Sequence, residues 1–207
     1  MVFWISRVIL LVFTKLYLRG KVYGKENLPE NGPYIGVINH NSNMDVVAMS
    51  LVATRKAYTM AKDSLFRVPV LKWWLKAVGM FPVVRDASDH KAFNYAVDLL
   101  RQGKILYIAP EGTRKKQNGQ RNRPRTGFVR MAQLADCPIV PIAMSGTDKV
   151  LPPCAWFPRR VKVSAIVGKP FKLEPLALKK ECKDELQSQA DWVMDKVYEM
   201  VAELETR

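Results

Sequence analysis

The stretch PYIGVINHNSNMD, residues 33–45, is an apolar run that stops abruptly on polar residues. Pro33–Asn39 reads as a short buried strand, and a helix can begin just after it, at His40 or Ser42. The same alternation recurs downstream. Ala57–Met60, Phe81–Val84, Lys104–Ala109 (stopped by Pro110), Pro138–Met144 and Val161–Val167 read as strands. Ser88 can cap a helix that runs to about Gln102, with Phe93, Ala96, Val97 and Leu100 on one face. Phe128–Ala135 reads as a further helix, and Leu178–Leu204 as a charged amphipathic helix or helix pair. Strands alternating with helices predict one α/β domain with a largely parallel sheet flanked by helices.

The composition supports a folded domain of this size. The chain has 207 residues, 48% hydrophobic and 25% charged, enough to bury a core without disulfides or metals. Charge is the informative quantity. There are 33 Lys+Arg against 19 Asp+Glu, a net of +14. Residues 171–207 hold nine acids and six bases, so residues 1–170 carry +17. Such a body suits a polyanion: nucleic acid, an anionic membrane surface or a phosphorylated small molecule. Cys137, Cys154 and Cys182 form no CxxC pair and no metal-ligand spacing with the two histidines. The sequence therefore predicts a reducing compartment and no bound metal.

Residues 1–20 form their own segment. Met1–Leu18 is strongly apolar, but Arg7 and Lys15 interrupt it, and its longest charge-free internal run is Val8–Thr14. That is too short for a spanning helix. On a helix, Arg7, Thr14, Lys15 and Arg19 fall within one arc, which predicts a helix lying in the membrane interface with its basic side chains reaching to phosphates. Phe3, Trp4 and Arg7 are its expected membrane contacts. A second such contact is Leu65–Met80, where Trp73 and Trp74 sit beside Lys72 and Lys76. Residues 21–207 are then the α/β domain.

The polar residues that follow the strands carry the chemistry. His40 ends the first strand, with Asp45 five residues on. Histidine is the usual general base near neutral pH, and a carboxylate on one ring nitrogen fixes its tautomer. Arg85 follows Phe81–Val84, where a guanidinium can fork onto a phosphate. Glu111, Gly112, Thr113 and Arg114 follow Lys104–Ala109 and begin a loop with seven bases and no acid between Arg114 and Arg130. All these residues stand at predicted strand ends, where open α/β sheets bind ligands. The sequence contains no G-x-G-x-x-G, no phosphate-binding loop ending in Gly-Lys-Ser/Thr and no G-x-S-x-G elbow, which removes support for nucleotide cofactors and serine hydrolysis.

Taken together, these motifs resemble the glycerolipid acyltransferases. NHNSNMD matches their N-H-x4-D motif, GMFPVVR their G-x-F-x-x-x-R block and PEGTR their E-G-T-R block, while Val140-Pro141-Ile142 resembles their final block. Order and separation also fit, from about residue 33 to 145. The chain is similar to the 1-acyl-glycerol-3-phosphate acyltransferases.

The resemblance implies that His40, oriented by Asp45, takes the proton from an acceptor hydroxyl. That hydroxyl attacks the thioester of acyl-CoA or acyl-carrier protein, with no further cofactor. It implies that Lys62, Arg85 and the Glu111–Arg114 block hold a lysophospholipid acceptor through its phosphate and glycerol. Its setting would be an anionic membrane surface, on the cytoplasmic face of a bacterial cell membrane, with no role for nucleic acid. Lys115 and Lys116 stand where the family often has Ser, which leaves open another lysolipid or glycerol-3-phosphate as acceptor. A non-catalytic basic membrane- or nucleic-acid-binding module would explain the charge, but not the joint occurrence of these motifs.

Overall fold

A computed structural model describes residues 1–84, 89–112, 121–152, 155–176 and 182–207. Helix α1 (Val2–Val12) continues into a π-helical turn, Phe13–Tyr17. Then follow β1 (Lys21–Tyr23), β2 (Tyr34–Ile38), α2 (Asp45–Val52), β3 (Ala57–Lys62), α3 (Pro69–Ala77) and β4 (Met80–Val83). The order continues with α4 (His90–Arg101), β5 (Ile105–Ile108), α5 (Gly127–Ala135), β6 (Ile139–Ser145), α6 (Thr147–Val150), β7 (Ser164–Val167) and α7 (Lys183–Thr206).

The seven strands form one sheet in the order β1-β7-β6-β2-β5-β3-β4. From β6 to β4 every pairing is parallel. Strand β7 pairs antiparallel with β6 and parallel with β1, so these two strands oppose the other five. The expected single α/β domain with a largely parallel sheet is the observed one. Strand β2 is buried throughout, as a central strand covered on both faces must be. Its side chains alternate: Ile35 and Val37 join a core with α4, α5 and α7, while Tyr34 and Ile38 join a second core with α2. Gly36 leaves room where β5 crosses, because a Cβ there would meet the Tyr107 ring at 2.3 Å.

Several element boundaries differ from the sequence reading for local reasons. Helix α2 begins at Asp45 rather than His40 or Ser42, because the Asp45 carboxylate accepts from the Asn41 and Ser42 backbone N–H groups and keeps that segment a loop. The cap of α4 is Asp89, which accepts from Ala92 N at 3.0 Å. The predicted cap, Ser88, lies outside the described residues, as does the predicted start of the last helix at Leu178. The short strand β1 carries no alternation that the sequence reading could use.

The N-terminal helix departs from the sequence expectation at Arg7 and Thr14, which turn toward the domain. Thr14 is fully buried, and its hydroxyl donates to Leu10 O at 2.6 Å and lies 3.2 Å from Ser50 Oγ. Arg7 Nε donates to Ala53 O at 2.8 Å, so Arg7 is held against the end of α2 instead of reaching outward to phosphates. Arg7 and Thr14 thus face the domain, Lys15 and Arg19 stay exposed, and Trp4, Ile5, Val8, Ile9, Val12 and Leu16 are exposed as well. Of the two adjacent tryptophans, Trp73 is 63% exposed, whereas Trp74 donates Nε1–H to Ser6 Oγ at 3.1 Å. Phe3 and Trp74 turn toward the domain and help line a cavity there. Among the described residues, no helix is long and apolar enough to cross a membrane.

Candidate active site

Strands β2, β3, β4, β5 and β6 run in one direction, so their carboxyl ends share one edge of the sheet. The loops leaving that edge carry His40, Lys62, Val84, Glu111 and Thr147. This common edge brings residues more than a hundred positions apart into one site.

His40 Nδ1 lies 2.7 Å from Asp45 Oδ2. The spacing of five works through a non-helical turn, not a helix face. The same Oδ2 accepts from Asn41 N at 2.9 Å and Ser42 N at 3.0 Å. Oδ1 accepts from the Thr147 hydroxyl at 2.5 Å. Asp45 is 1% exposed, so this carboxylate is buried and hydrogen-bonded on both oxygens. A carboxylate surrounded by donors acts as an acceptor, which assigns the hydrogen to His40 Nδ1 and leaves Nε2 with its lone pair. His40 itself remains partly exposed.

Two further residues fix the backbone that carries His40. The Asn39 amide pairs with both backbone groups of Met144, each at 2.8 Å, and locks the end of β2 to β6. Glu111 Oε2 accepts from His40 N at 2.7 Å, and Glu111 Oε1 accepts from the Tyr198 hydroxyl. Glu111 is buried, with both oxygens engaged by the protein. It therefore holds the His40 backbone. Burial, and then the Glu111 acceptor, push the Tyr198 hydroxyl above its ordinary pKa, so it stays a donor. The Arg121 guanidinium sits over the Tyr198 ring at 3.9 Å.

Gly112 has φ +69°, and a Cβ there would meet Arg125 Nε at 2.9 Å. The turn thus favours glycine for its left-handed backbone, with the Arg125 side chain packed against it. Lys62 ends β3 and is exposed at the same edge. Arg85, Thr113 and Arg114 lie outside the described residues. Asp89 accepts from Val84 N at 3.0 Å as well as from Ala92 N, so it ties the end of β4 to the start of α4 on either side of the Arg85 position. His90 is an exposed first residue of α4 and takes no part in this arrangement.

An apolar cavity of about 120 Å³ lies between α1, α2, α3 and the sheet. Its lining includes Leu10, Ile38, Val46, Met49, Trp74 and Tyr107. Ile38 is two residues before His40, and Val46 follows Asp45 directly, so the cavity begins beside the His–Asp pair. Its other end reaches Ala53, Ala57 and Val78. The hydroxyls of Tyr34 and Tyr107 lie 3.1 Å apart in the core behind it. Burial raises the Tyr107 pKa well above the ordinary value, so this wall is uncharged. Among the described residues, no cluster of His, Cys, Asp and Glu has the makings of a metal site.

Sequence reasoning found His40 and Asp45 but missed Asn39, Thr147 and Tyr198 as parts of the site. Asn39 and Thr147 could have been suspected from their places directly after β2 and β6. Tyr198 gives no local signal, being one aromatic residue on a long amphipathic helix.

The chain is similar to known acyltransferases in sequence and in fold. The family described as Acyltransferase matches residues 19–145. A "1-acyl-sn-glycerol-3-phosphate acyltransferase" of Bacillus subtilis (strain 168) is 31% identical over 159 residues, covering 75% of this chain and 76% of that protein. A protein of the same name from Saccharomyces cerevisiae is 28% identical over 193 residues, covering 89% of this chain and 60% of that protein. The fold is similar to the crystal structure of the 1-acyl-sn-glycerophosphate (LPA) acyltransferase PlsC from Thermotoga maritima. That match has a TM-score of 0.76 and 24% identity, and covers 97% of this chain and 80% of the other.

Proposed function

The chain belongs to the acyltransferase family and is an acyltransferase; we propose that it moves a fatty acyl group from a thioester to the sn-2 hydroxyl of 1-acyl-glycerol-3-phosphate, giving phosphatidic acid. The observation that carries this reading is the His40–Asp45 pair, 2.7 Å apart, whose chain neighbours Ile38 and Val46 line an apolar cavity. His40 Nε2 takes the hydroxyl proton as the acceptor oxygen attacks the thioester carbonyl. The tetrahedral intermediate then collapses, the C–S bond breaks, and the thiolate leaves with the proton returned by His40. Asp45 keeps Nδ1–H in place and stabilises the imidazolium.

The acyl chain lies in the apolar cavity, where lipid is exchanged for side chains of equal polarity. Lys62, Arg85, Gly112, Thr113 and Arg114 hold the acceptor phosphate. A phosphate carries nearly two charges, and fixing it aligns the hydroxyl against His40. The donor is a long-chain acyl-CoA or acyl-carrier protein, either of which suits the basic body.

The outward apolar face of α1 seats the enzyme on an anionic membrane. A helix that turns Arg7 and Thr14 to its own domain, leaves an apolar stripe facing outward and keeps Lys15 and Arg19 exposed beside it matches a lipid boundary, not water. Residues 1–20 are thus the interfacial segment, together with Trp73, and residues 21–207 the catalytic body. We place the enzyme on the cytoplasmic face of a bacterial cell membrane, as the resemblance to its family implies.

The test is acyl transfer to 1-acyl-glycerol-3-phosphate in detergent micelles by the wild type and His40→Ala. Loss of several orders of magnitude in the variant is expected. Equal rates would remove His40 from the reaction, and faster turnover of a phosphate-free acceptor would replace the proposed substrate.

A further inference from the structure

Outside the active site, the most exposed large aromatic residues are Trp156, 93% exposed, and Phe157, 82% exposed. They sit side by side on the connection between α6 and β7, and Pro158 follows them. The connection is closed at its base, where Arg159 N donates to Val150 O at 2.6 Å. It is also fastened to the N-terminal helix, since the Tyr17 hydroxyl donates to Pro158 O at 2.8 Å. Nearby, Val163 N donates to Leu18 O, and Lys21 N to Val163 O. The aromatic pair is therefore held at one end of the outward apolar stripe of α1. At the other end stands α3, with Trp74 bonded to Ser6 and with Val70 and Trp73 exposed. Arg159, Arg160 and Lys162 follow the pair, and Lys15, Arg19 and Lys21 flank the turn it is tied to; all six are exposed.

From this juxtaposition we propose that Trp156 and Phe157 form a second membrane anchor, a wedge inserted into an anionic bilayer beside the end of α1. This rests on the reading that α1 faces a membrane. Two neighbouring aromatic side chains left almost wholly in water are unfavourable for a soluble surface, whereas at a bilayer interface their rings reach the acyl boundary. The six cations beside them match lipid phosphates in sign. An amphipathic helix alone fixes contact along one line; a wedge at its end also restricts rotation about that line. The edge of the sheet bearing His40 thereby keeps a constant orientation toward the lipid from which its acceptor arrives.

The experiment measures partition of the full chain onto vesicles of phosphatidylglycerol and phosphatidylethanolamine by sedimentation. It compares wild type, Trp156→Ser/Phe157→Ser, and Ile5→Ser/Val8→Ser, with circular dichroism and elution volume as checks on folding and self-association. The wedge predicts at least a tenfold weaker partition for Trp156→Ser/Phe157→Ser with an unchanged dichroism spectrum. It also predicts that brominated acyl chains quench less of the tryptophan fluorescence in Trp156→Phe than in wild type. If Ile5→Ser/Val8→Ser weakens binding while the Trp156/Phe157 variant binds as wild type does, the wedge is overturned and the α1 reading stands. If the wild type does not bind vesicles, both fail. If it self-associates without lipid and the Trp156/Phe157 variant does not, the surface belongs to a second copy of the chain and the wedge is overturned.

Discussion

The Tyr198 hydroxyl donates to one oxygen of Glu111 while the other takes the backbone N–H of His40, so helix α7 braces the loop of the His–Asp pair from behind. Tyr198→Phe removes that donor and leaves a buried carboxylate oxygen short of a partner. The expected result is a fall in kcat of roughly tenfold, with the acceptor KM nearly unchanged because no substrate contact is lost. Steady-state kinetics on Tyr198→Phe and Glu111→Gln check this. A change confined to KM would instead make Glu111 an acceptor ligand.

Asp45 receives three donors from its own turn and one from Thr147. Asp45→Asn replaces a pure acceptor with an amide and no longer fixes the His40 tautomer. A drop in kcat on the order of 10⁴ is expected, by analogy with other histidine–carboxylate pairs. Thr147→Val removes only the outermost bond. It should lower stability by about 2 kcal/mol, as for a hydrogen bond to a charged group, and reduce kcat far less than Asp45→Asn does. Urea unfolding beside single-turnover rates separates the two effects.

Ala53 lies at the end of the cavity away from His40. Ala53→Leu fills that end, so the preferred acyl donor should become shorter by a few carbons. The kcat/KM ratio for long over short acyl donors should fall by roughly tenfold or more, each lost methylene contact being worth about 0.8 kcal/mol. An unchanged ratio across an acyl-donor series would exclude this cavity as the site of the acyl chain.

Asp89 caps α4 and also holds Val84, bracketing the Arg85 position. Its bonds from the Ala92 and Val84 backbone N–H groups keep its carboxyl below the ordinary value. A depressed folded-state pKa gives stability that is present above the unfolded value and lost as pH falls through the folded one. Asp89→Ala should therefore cost about 1 kcal/mol near neutral pH. The difference from wild type should shrink below about pH 4. Thermal unfolding across that range measures it, and an acceptor KM that rises in the variant would tie the cap to Arg85.

Much of the site was legible before any coordinates. His40 and Asp45 sit within one short loop, so their meeting is a local event that the five-residue spacing already encodes. The alternation of strands and helices likewise follows from the runs themselves, and it places Lys62, Glu111 and Gly112 at strand ends. Less legible was the function of Glu111, whose type suggested a substrate contact. Its two partners come from elsewhere: the backbone of His40 is 71 positions away, and the ring hydroxyl of Tyr198 is 87.

By itself, then, the sequence determined the alternation of the central strands with helices, the largely parallel sheet and the His–Asp pair, because each depends on periodicity or on neighbours a few residues apart. Only the tertiary structure decided which distant groups complete the pair, since Met144, Thr147 and Tyr198 reach Asn39, Asp45 and Glu111 through the stacking of β6, β2 and α7. It decided the facing of α1 as well. A helical stripe fixes which residues share a side, but not whether that side meets protein or lipid. Here the bond from Arg7 to Ala53 O, and the burial of Thr14 beside Ser50, turn those two polar side chains inward and leave the apolar stripe out.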